Sequence, residues 1–259
     1  MEILDSKYNR YGEYCKTQSL LEPIYWNFKS HSDFIYMTEH TSKELGDYYL
    51  NEIIEEFSNI FLDKKNYFIS CIKDNDKYGK TLKYNFSNLI MCSPSNLRYI
   101  YQSLKICSYI KTLDLNCIDF IEIGGGYGGL CYYLYKISKI FDITINSYSI
   151  FDLYNPGLLI KQYLKTLNIH NVNIFTLENI NNISLKNNSF LISTYAFSEL
   201  IPNIRNEYQK LLIEPYIAHG FIAWNNCEPY NFTKNKTIKV IDNFYTLKLN
   251  QKSFPYIIF

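Results

Sequence analysis

The chain has 259 residues, of which 47% are hydrophobic, and its 26 Lys+Arg against 25 Asp+Glu leave a formal net charge of +1. This supplies ample core for one large domain, or for one domain with an appendage. So balanced a charge argues against a nucleic-acid partner or an anionic membrane surface.

Seven cysteines stand singly, at 15, 71, 92, 107, 117, 131 and 227, with no C-x-x-C pair. Their odd number and spacing argue against a disulfide framework or a structural zinc site, and reduced thiols in the cytoplasm are the expectation. The amino terminus is acidic and lacks the basic and apolar regions of a signal peptide. No apolar run approaches membrane-spanning length. His31, His40 and His170 have no metal-like partners at local spacing, so no metal is expected. The 26 tyrosines accompany abundant Asn, Ile and Lys, all served by AT-rich codons. They are therefore discounted as stacking platforms for single-stranded nucleic acid.

Residues 1–117 read as a mainly helical region that precedes the main domain and serves as a lid or substrate region. Apolar positions Tyr49, Leu50, Ile53, Ile54, Phe57, Ile60 and Phe61 form a helical stripe over 47–62, with Glu52, Glu55 and Glu56 on a solvated face. Residues 63–88 are polar and read as a connection or small subdomain. Ser93-Pro94-Ser95-Asn96-Leu97-Arg98-Tyr99 reads as a helix start, with serine able to cap and proline suited to the first turn. Leu97, Tyr101, Leu104 and Ile110 form its apolar side. Arg98 is a candidate to meet a substrate carboxylate or phosphate; a surface arginine on an amphipathic helix is the plainer alternative.

From 118 to 259 strands and helices alternate, as in an α/β domain with a mostly parallel, Rossmann-like sheet. Strands are expected at 118–123, 145–151, 172–175, 190–194, 221–224, 238–241 and 256–259. Helices are expected at 130–140, 158–167 and 203–218. No helix-length segment separates the last two strands, which can pair antiparallel. The expectation is thus a seven-stranded sheet closed by a reversed hairpin.

The first strand runs into Glu122-Ile123-Gly124-Gly125-Gly126-Tyr127-Gly128-Gly129, which holds five of the ten glycines. Glycines turn the chain sharply and remove side chains that would keep a ligand off the backbone, and the next helix can present its amides. The spacing Gly124-x-Gly126-x-x-Gly129 fits a nucleotide-cofactor cradle. A tight turn serving only helix–sheet packing is the alternative. Glu122, at the strand mouth, suits a cofactor bearing positive charge, such as the sulfonium and amino group of S-adenosylmethionine, and suits the phosphates of NAD poorly.

Asp152 ends the second strand about twenty residues past the turn, where a carboxylate accepts both ribose hydroxyls. It also makes sense as a helix N-cap, and the two readings are compatible. Glu178, after the third strand, is a candidate for adenine. Ser193-Thr194-Tyr195-Ala196-Phe197-Ser198-Glu199-Leu200 follows the fourth strand, which is expected beside the first across the switch point, where ligands bind. Glu199 there is a candidate base, with a cap or surface turn as the alternative. His219 closes the helix before the fifth strand, where the dipole favours it. Asn225, ending the fifth strand, is placed to orient a substrate hydroxyl.

These blocks resemble the class I S-adenosylmethionine-dependent methyltransferases, and within them the sugar O-methyltransferase family. The residues that carry the resemblance are 122–130, Ile150-Phe151-Asp152-Leu153 and Tyr195-Ala196-Phe197-Ser198-Glu199-Leu200, with 93–99 similar too. It spans roughly residues 90–226. It implies a methyl donor bordered by Glu122 and Gly124, Gly125, Gly126, Tyr127 and Gly128, with its ribose on Asp152. Leu153, Glu178, Ser193 and Thr194 complete the expected cofactor set, and Arg98, Tyr195 and Asn225 the substrate set. Glu199 is the first candidate base and His219 the second. The implied acceptor is a hydroxyl of a sugar, sugar nucleotide or glycan. The reaction is in-line attack on the sulfonium methyl, so alignment contributes more than any one side chain. A sugar hydroxyl needs a stronger base than an ordinary carboxylate, so burial would have to raise the Glu199 pKa. The rivals are an NAD-dependent oxidoreductase, a non-catalytic cofactor-binding module and an RNA methyltransferase using the small cluster Lys234, Lys236 and Lys239. The sequence leaves the sugar, metal dependence and a homo-oligomer open.

Overall fold

In the computed structural model, which describes residues 2–38, 41–87, 89–224 and 256–258, the chain divides into two compact units. The first comprises Met1–Asn116, Gly126–Thr144 and Leu153–His170; the second comprises Cys117–Gly125, Ile145–Asp152 and Asn171–Phe259. The expected boundary near 117 is one point at which the chain passes between units. The continuous domain expected over 118–259 is instead interrupted, because its first two helices belong to the first unit.

The first unit contains α1 (Glu2–Ser19), α2 (Ser32–Met37), α3 (Lys43–Glu56), α4 (Ser58–Asp63), α5 (Lys65–Asn75), a hairpin of β1 (Tyr84–Asn85) and β2 (Met91–Cys92), α6 (Pro94–Thr112), α7 (Gly129–Ile137) and α8 (Tyr154–Thr166). The stripe expected over 47–62 is two helices that meet at Phe57, whose non-helical backbone closes one helix and opens the next. The polar stretch 63–88 contains α5, whose buried face is Phe68, Cys71 and Ile72. Its lysines and aspartates masked that stripe in the sequence.

Within the first unit α1 packs on α8, α3 on α6, and α6 on α7. The α6 helix is not amphipathic in the expected sense. Leu97, Leu104 and Ile110 are buried, and so are Ser95, Asn96, Arg98, Gln102 and Ser103. Asn96 is satisfied internally, as burial requires, whereas the Gln102 amide and the Ser103 hydroxyl have no hydrogen-bond partner among the described residues. Asn96 Nδ2 donates to Asp76 Oδ1 and Ser93 Oγ, both at 2.8 Å, while Asn96 Oδ1 accepts from Asn75 Nδ2 at 2.8 Å and Tyr133 Oη at 2.6 Å. Ser93 does not cap α6 with its side chain. Its hydroxyl donates to Asp76 Oδ1 at 2.7 Å, and Asp76 Oδ2 takes the Ser93 amide at 2.8 Å.

The second unit is built on β3 (Cys117–Ile123), β4 (Thr144–Phe151), β5 (Val172–Phe175), β6 (Ser189–Thr194), β7 (Ile217–Ala223) and β8 (Tyr256–Ile258), with α9 (Ala196–Glu199) and α10 (Pro202–Tyr208). The sheet order is β5-β4-β3-β6-β7-β8; five strands are parallel and β8 runs antiparallel to β7. Among the described residues the sheet therefore has six strands. The seventh expected strand, 238–241, lies outside them. Successive strands step outward from β3 in one direction and from β6 in the other, so the switch point falls between these two neighbours. Phe120↔Phe190 and Glu122↔Ile192 set their register. One core of this unit joins Ile121, Ile123, Phe151, Leu191, Ile222 and Trp224 to Phe197, Tyr208, Leu212 and Ile213. The helix expected over 203–218 is shorter. It loosens into a π-turn at Gln209–Ile213, and β7 begins at Ile217. Ile217, His219 and Phe221 carry β-branched or aromatic side chains, and pairing with β6 outweighs helical continuation.

Among the described residues no helix is long and apolar enough to cross a membrane.

Candidate cofactor site

The site is assembled at the carboxyl ends of β3, β4 and β6. The apolar residues Ile118, Phe120, Ile121 and Ile123 bury β3, and the strand ends where Gly124 turns at φ +80°. A Cβ at Gly124 would run into the methyl of Ala196, the first residue of α9. Both the backbone angle and this close approach require glycine. The Gly124 amide donates to Phe151 O at 2.9 Å, and the Gly125 amide donates to Asp152 Oδ2 at 2.8 Å. The Asp152 amide in turn donates to Phe175 O at 3.0 Å. Asp152 therefore clasps the glycine turn with one carboxylate oxygen, a role that residue spacing did not reveal.

On the far side of the switch point, Ser193 is fully buried. Its hydroxyl donates to Ile123 O at 2.8 Å and accepts from the Phe197 amide at 3.0 Å. The Ser193 hydroxyl thus joins the end of β3 to the start of α9. Tyr195 follows Thr194 with φ +71° and ψ −36°, a sparsely populated conformation for a non-glycine residue. It is held by its amide donating to Ala223 O at 2.8 Å and its carbonyl accepting from Ser198 Oγ at 2.6 Å.

Glu122 is 1% exposed, and Tyr148 Oη on β4 donates to its Oε2 at 2.7 Å. Burial pushes its carboxyl up to about 8. The Tyr148 hydrogen bond pulls the other way, and the nearby Asp152 charge raises it further. This corrects the expectation of a standing negative charge. Without a cation beside it Glu122 is mostly protonated at neutral pH, and only a positively charged ligand would draw the proton off.

Glu178 is exposed, in the 3₁₀ turn Leu177–Asn182 after β5. Tyr208, on α10, was not singled out from sequence. It is 6% exposed and packs edge-on to Phe151 at 6.3 Å. Burial first, and then the charges of Asp152 and Glu178, push its phenol pKa up. The Tyr208 hydroxyl is thus electrostatically linked to both expected cofactor acids. With only Ile204 beside it as a packed apolar residue on this short helix, its role left no sequence signal.

Glu199 ends α9 and is exposed, so the burial that a sugar-hydroxyl base requires is absent. His219 is not in a helix terminus but within β7, opposite Phe190. It lies four residues before Ala223, roughly 13 Å down the strand from the carboxyl end. That removes it as a base acting at this end of the sheet. Asn225 lies outside the described residues.

The remaining expected residues belong to the first unit. Gly126 and Gly128 have φ +60° and +91°; a Cβ at Gly126 would meet Thr38 only at 3.7 Å, whereas one at Gly128 would lie 2.9 Å from Leu164. The Tyr127 side chain does not line a cofactor cleft. It is fully buried, accepts from Asn75 Nδ2 at 3.1 Å, and lies under Lys29 Nζ, 4.3 Å from its ring centroid. Lys29, itself buried, donates to Asn75 O at 2.5 Å and Tyr163 Oη at 2.9 Å. A large ring flanked by glycines read as loop chemistry, but its apolar area drives it into the core. Arg98 is not a surface residue. It is 6% exposed, donates to Thr38 O and Tyr99 Oη at 3.2 Å each, and stacks over the Tyr99 ring at 4.9 Å. Leu153 is 52% exposed.

No family model and no curated protein matches the chain. Solved structures with partial similarity include an S-adenosylmethionine-dependent methyltransferase from Clostridium acetobutylicum, at 11% identity and TM-score 0.38, covering 48% of this chain and 49% of that one. The mitomycin 7-O-methyltransferase MmcR aligns at 6% identity and TM-score 0.39, covering 53% and 39%. PKMT2 from Rickettsia typhi, in complex with AdoHcy, aligns at 16% and 0.33, covering 42% and 21%. The chain spans about half the length of the first solved structures it matches. Scores this low carry no assignment, which rests on the geometry of the chain itself.

Proposed function

We propose that this protein is an S-adenosylmethionine-dependent O-methyltransferase acting on a sugar hydroxyl. One observation carries the reading: at the switch point of a doubly wound sheet, a Cβ-free turn follows a buried acid and is clasped by a second acid from the neighbouring strand. Ligands of this fold class bind outside the carboxyl ends of the strands at that point. The residues fit the cofactor chemically. Gly124 and Gly125 present bare backbone against which the methionine part can lie closely, their own amides being held by Phe151 O and Asp152 Oδ2. Glu122 becomes a carboxylate when a cation arrives, and Asp152 is a carboxylate beside the turn whose chemistry suits ribose hydroxyls.

When bound, adenosylmethionine supplies an electrophilic methyl on a sulfonium. In this reading Glu122, Gly124 and Gly125 hold the methionine part, Asp152 the ribose, and Glu178 the adenine side. Thr194 and Tyr195 border the reacting centre, and Glu199, exposed at the end of α9, receives the hydroxyl proton only once a bound acceptor shields its carboxylate from water. The sugar acceptor rests on the resemblance carried by Tyr195-Ala196-Phe197-Ser198-Glu199-Leu200.

Titration calorimetry of the full chain with adenosylhomocysteine and with NAD tests the reading. Saturable adenosylhomocysteine binding that Asp152→Ala weakens is expected. Saturable NAD binding with no response to adenosylhomocysteine would overturn it.

A further inference from the structure

The first unit contains a cavity of about 360 Å³ lined by Tyr8, Asn9, Gly12 and Glu13 of α1 and by Leu153, Tyr154, Asn155 and Pro156 at the start of α8. Its size lies at the small end of ligand sites, which run roughly 300–1,000 Å³.

Two observations mark it as more than a packing gap. The first is Gly12. A glycine inside a helix costs about 1 kcal/mol relative to alanine, and Gly12 has no positive φ to require it. A Cβ there would touch Asn155 only at 3.7 Å, an ordinary contact. Gly46 in α3 differs: a Cβ there would lie 2.6 Å from Phe86, so packing demands glycine. At Gly12 neither backbone nor packing does so, and the effect of the bare position is an open cavity floor. The second is the wall. Tyr154 is 70% exposed and Leu153 52%, while Ile160, Tyr163 and Leu164 bury the opposite side of the same helix. At the cavity rim these side chains offer apolar contact surface to a ligand.

The lining specifies the ligand chemistry. The rings of Tyr8 and Tyr154 offer flat apolar surfaces, while Asn9, Asn155 and Glu13 offer amide donors and amide and carboxylate acceptors. Asn155 Nδ2 donates to Glu13 Oε1 at 3.3 Å, which orients both groups. Among the described lining residues there is no lysine or arginine, and a carboxylate in the wall repels phosphate. A pyranose ring has this amphipathic pattern, with an apolar C–H face and a rim of hydroxyls.

We propose that this cavity binds a neutral sugar, stacked on Tyr154 and Tyr8, with its hydroxyls on Glu13, Asn9 and Asn155. The ligand is a glycan or simple glycoside, recognised without a diphosphate.

Saturation-transfer NMR on the full chain tests this, with the methyl glycosides of glucose, galactose, mannose and N-acetylglucosamine, and uridine diphosphate alone, as probes. Tyr154→Ala removes an exposed ring without touching the core, and Gly12→Leu fills the floor. Saturable binding of at least one glycoside is expected, weakened roughly tenfold or more in both variants, a hot-spot-sized loss, with adenosylhomocysteine affinity unchanged. The proposal is overturned if no glycoside binds, if both variants bind glycoside like the parent, if uridine diphosphate occupies the cavity, or if the variants lose adenosylhomocysteine instead. A chain that binds glycoside here but never binds adenosylhomocysteine keeps the sugar site and loses the methyltransferase reading.

Discussion

Glu122 shows how burial changes what a residue type means. Its carboxyl moves from an ordinary 4.5 to about 8. The folded protein therefore keeps this proton after the unfolded chain has lost it. The resulting stabilisation is complete below about 4.5, falls as pH rises and is gone above about 8, a total of roughly 4–5 kcal/mol. Glu122→Gln should remove that slope. Urea midpoints at pH 5, 6, 7 and 8 check it through the difference between parent and variant; parallel curves would show that burial does not hold the proton. At Gly124, alanine meets both a left-handed backbone and the Ala196 methyl. Gly124→Ala should cost about 2–4 kcal/mol, whereas Gly126→Ala, with room around it, should cost only about 1–2 kcal/mol of backbone strain. Equal losses in denaturation would remove the close-approach argument. Glu199→Gln should lower turnover at least roughly tenfold with adenosylhomocysteine affinity intact; unchanged turnover would take Glu199 out of the reaction. The acids and glycines were legible because their chemistry is local. The phenol of Tyr208 was not, because its neighbours come from β4 and the turn after β5.

At the scale of elements, the glycine strand and its neighbours follow directly from their apolar runs. β5 was expected at 172–175 and forms at Val172–Phe175. Helices were harder. The α6 helix combines an apolar stripe with buried amides and hydroxyls, and no periodicity distinguishes a buried polar residue from a solvated one. Its network is a stability prediction in itself. Asn96→Leu removes a hydrogen bond from each of Asn75, Tyr133, Asp76 and Ser93. Asn75, Asp76 and Ser93 keep other partners, so the loss centres on the buried Tyr133 hydroxyl and should be on the order of 2–4 kcal/mol. Chemical denaturation measures this, and a loss within about 1 kcal/mol would mean that the network contributes little net stability.

For the whole molecule, the domain boundary carries the prediction. Residues 117–259 include α7 and α8, but their packing partners α6 and α1 lie in the first 116 residues. In a fragment of 117–259 the buried faces of α7 and α8, including Tyr133, Leu134, Ile137, Ile160 and Tyr163, would be exposed to water. Such a fragment should aggregate or show helix content without dispersed amide resonances. A well-dispersed NMR spectrum from it would show that the carboxyl-terminal portion folds alone.

The sequence by itself determined the elements that depend on neighbours along the chain: the strand into Gly124, the parallel succession of strands, the turn that only glycine accommodates, and the two acids flanking it. Backbone conformation and short-range periodicity are local properties, so they are written in consecutive residues. Tertiary structure alone decided that Asp152 clasps Gly125, that Tyr127 turns away into a core under Lys29, that His219 sits well down its strand, and that Gly12 faces a cavity. Each of these depends on which distant segment burial brings alongside, and burial depends on the apolar area of the whole chain, not on residue spacing.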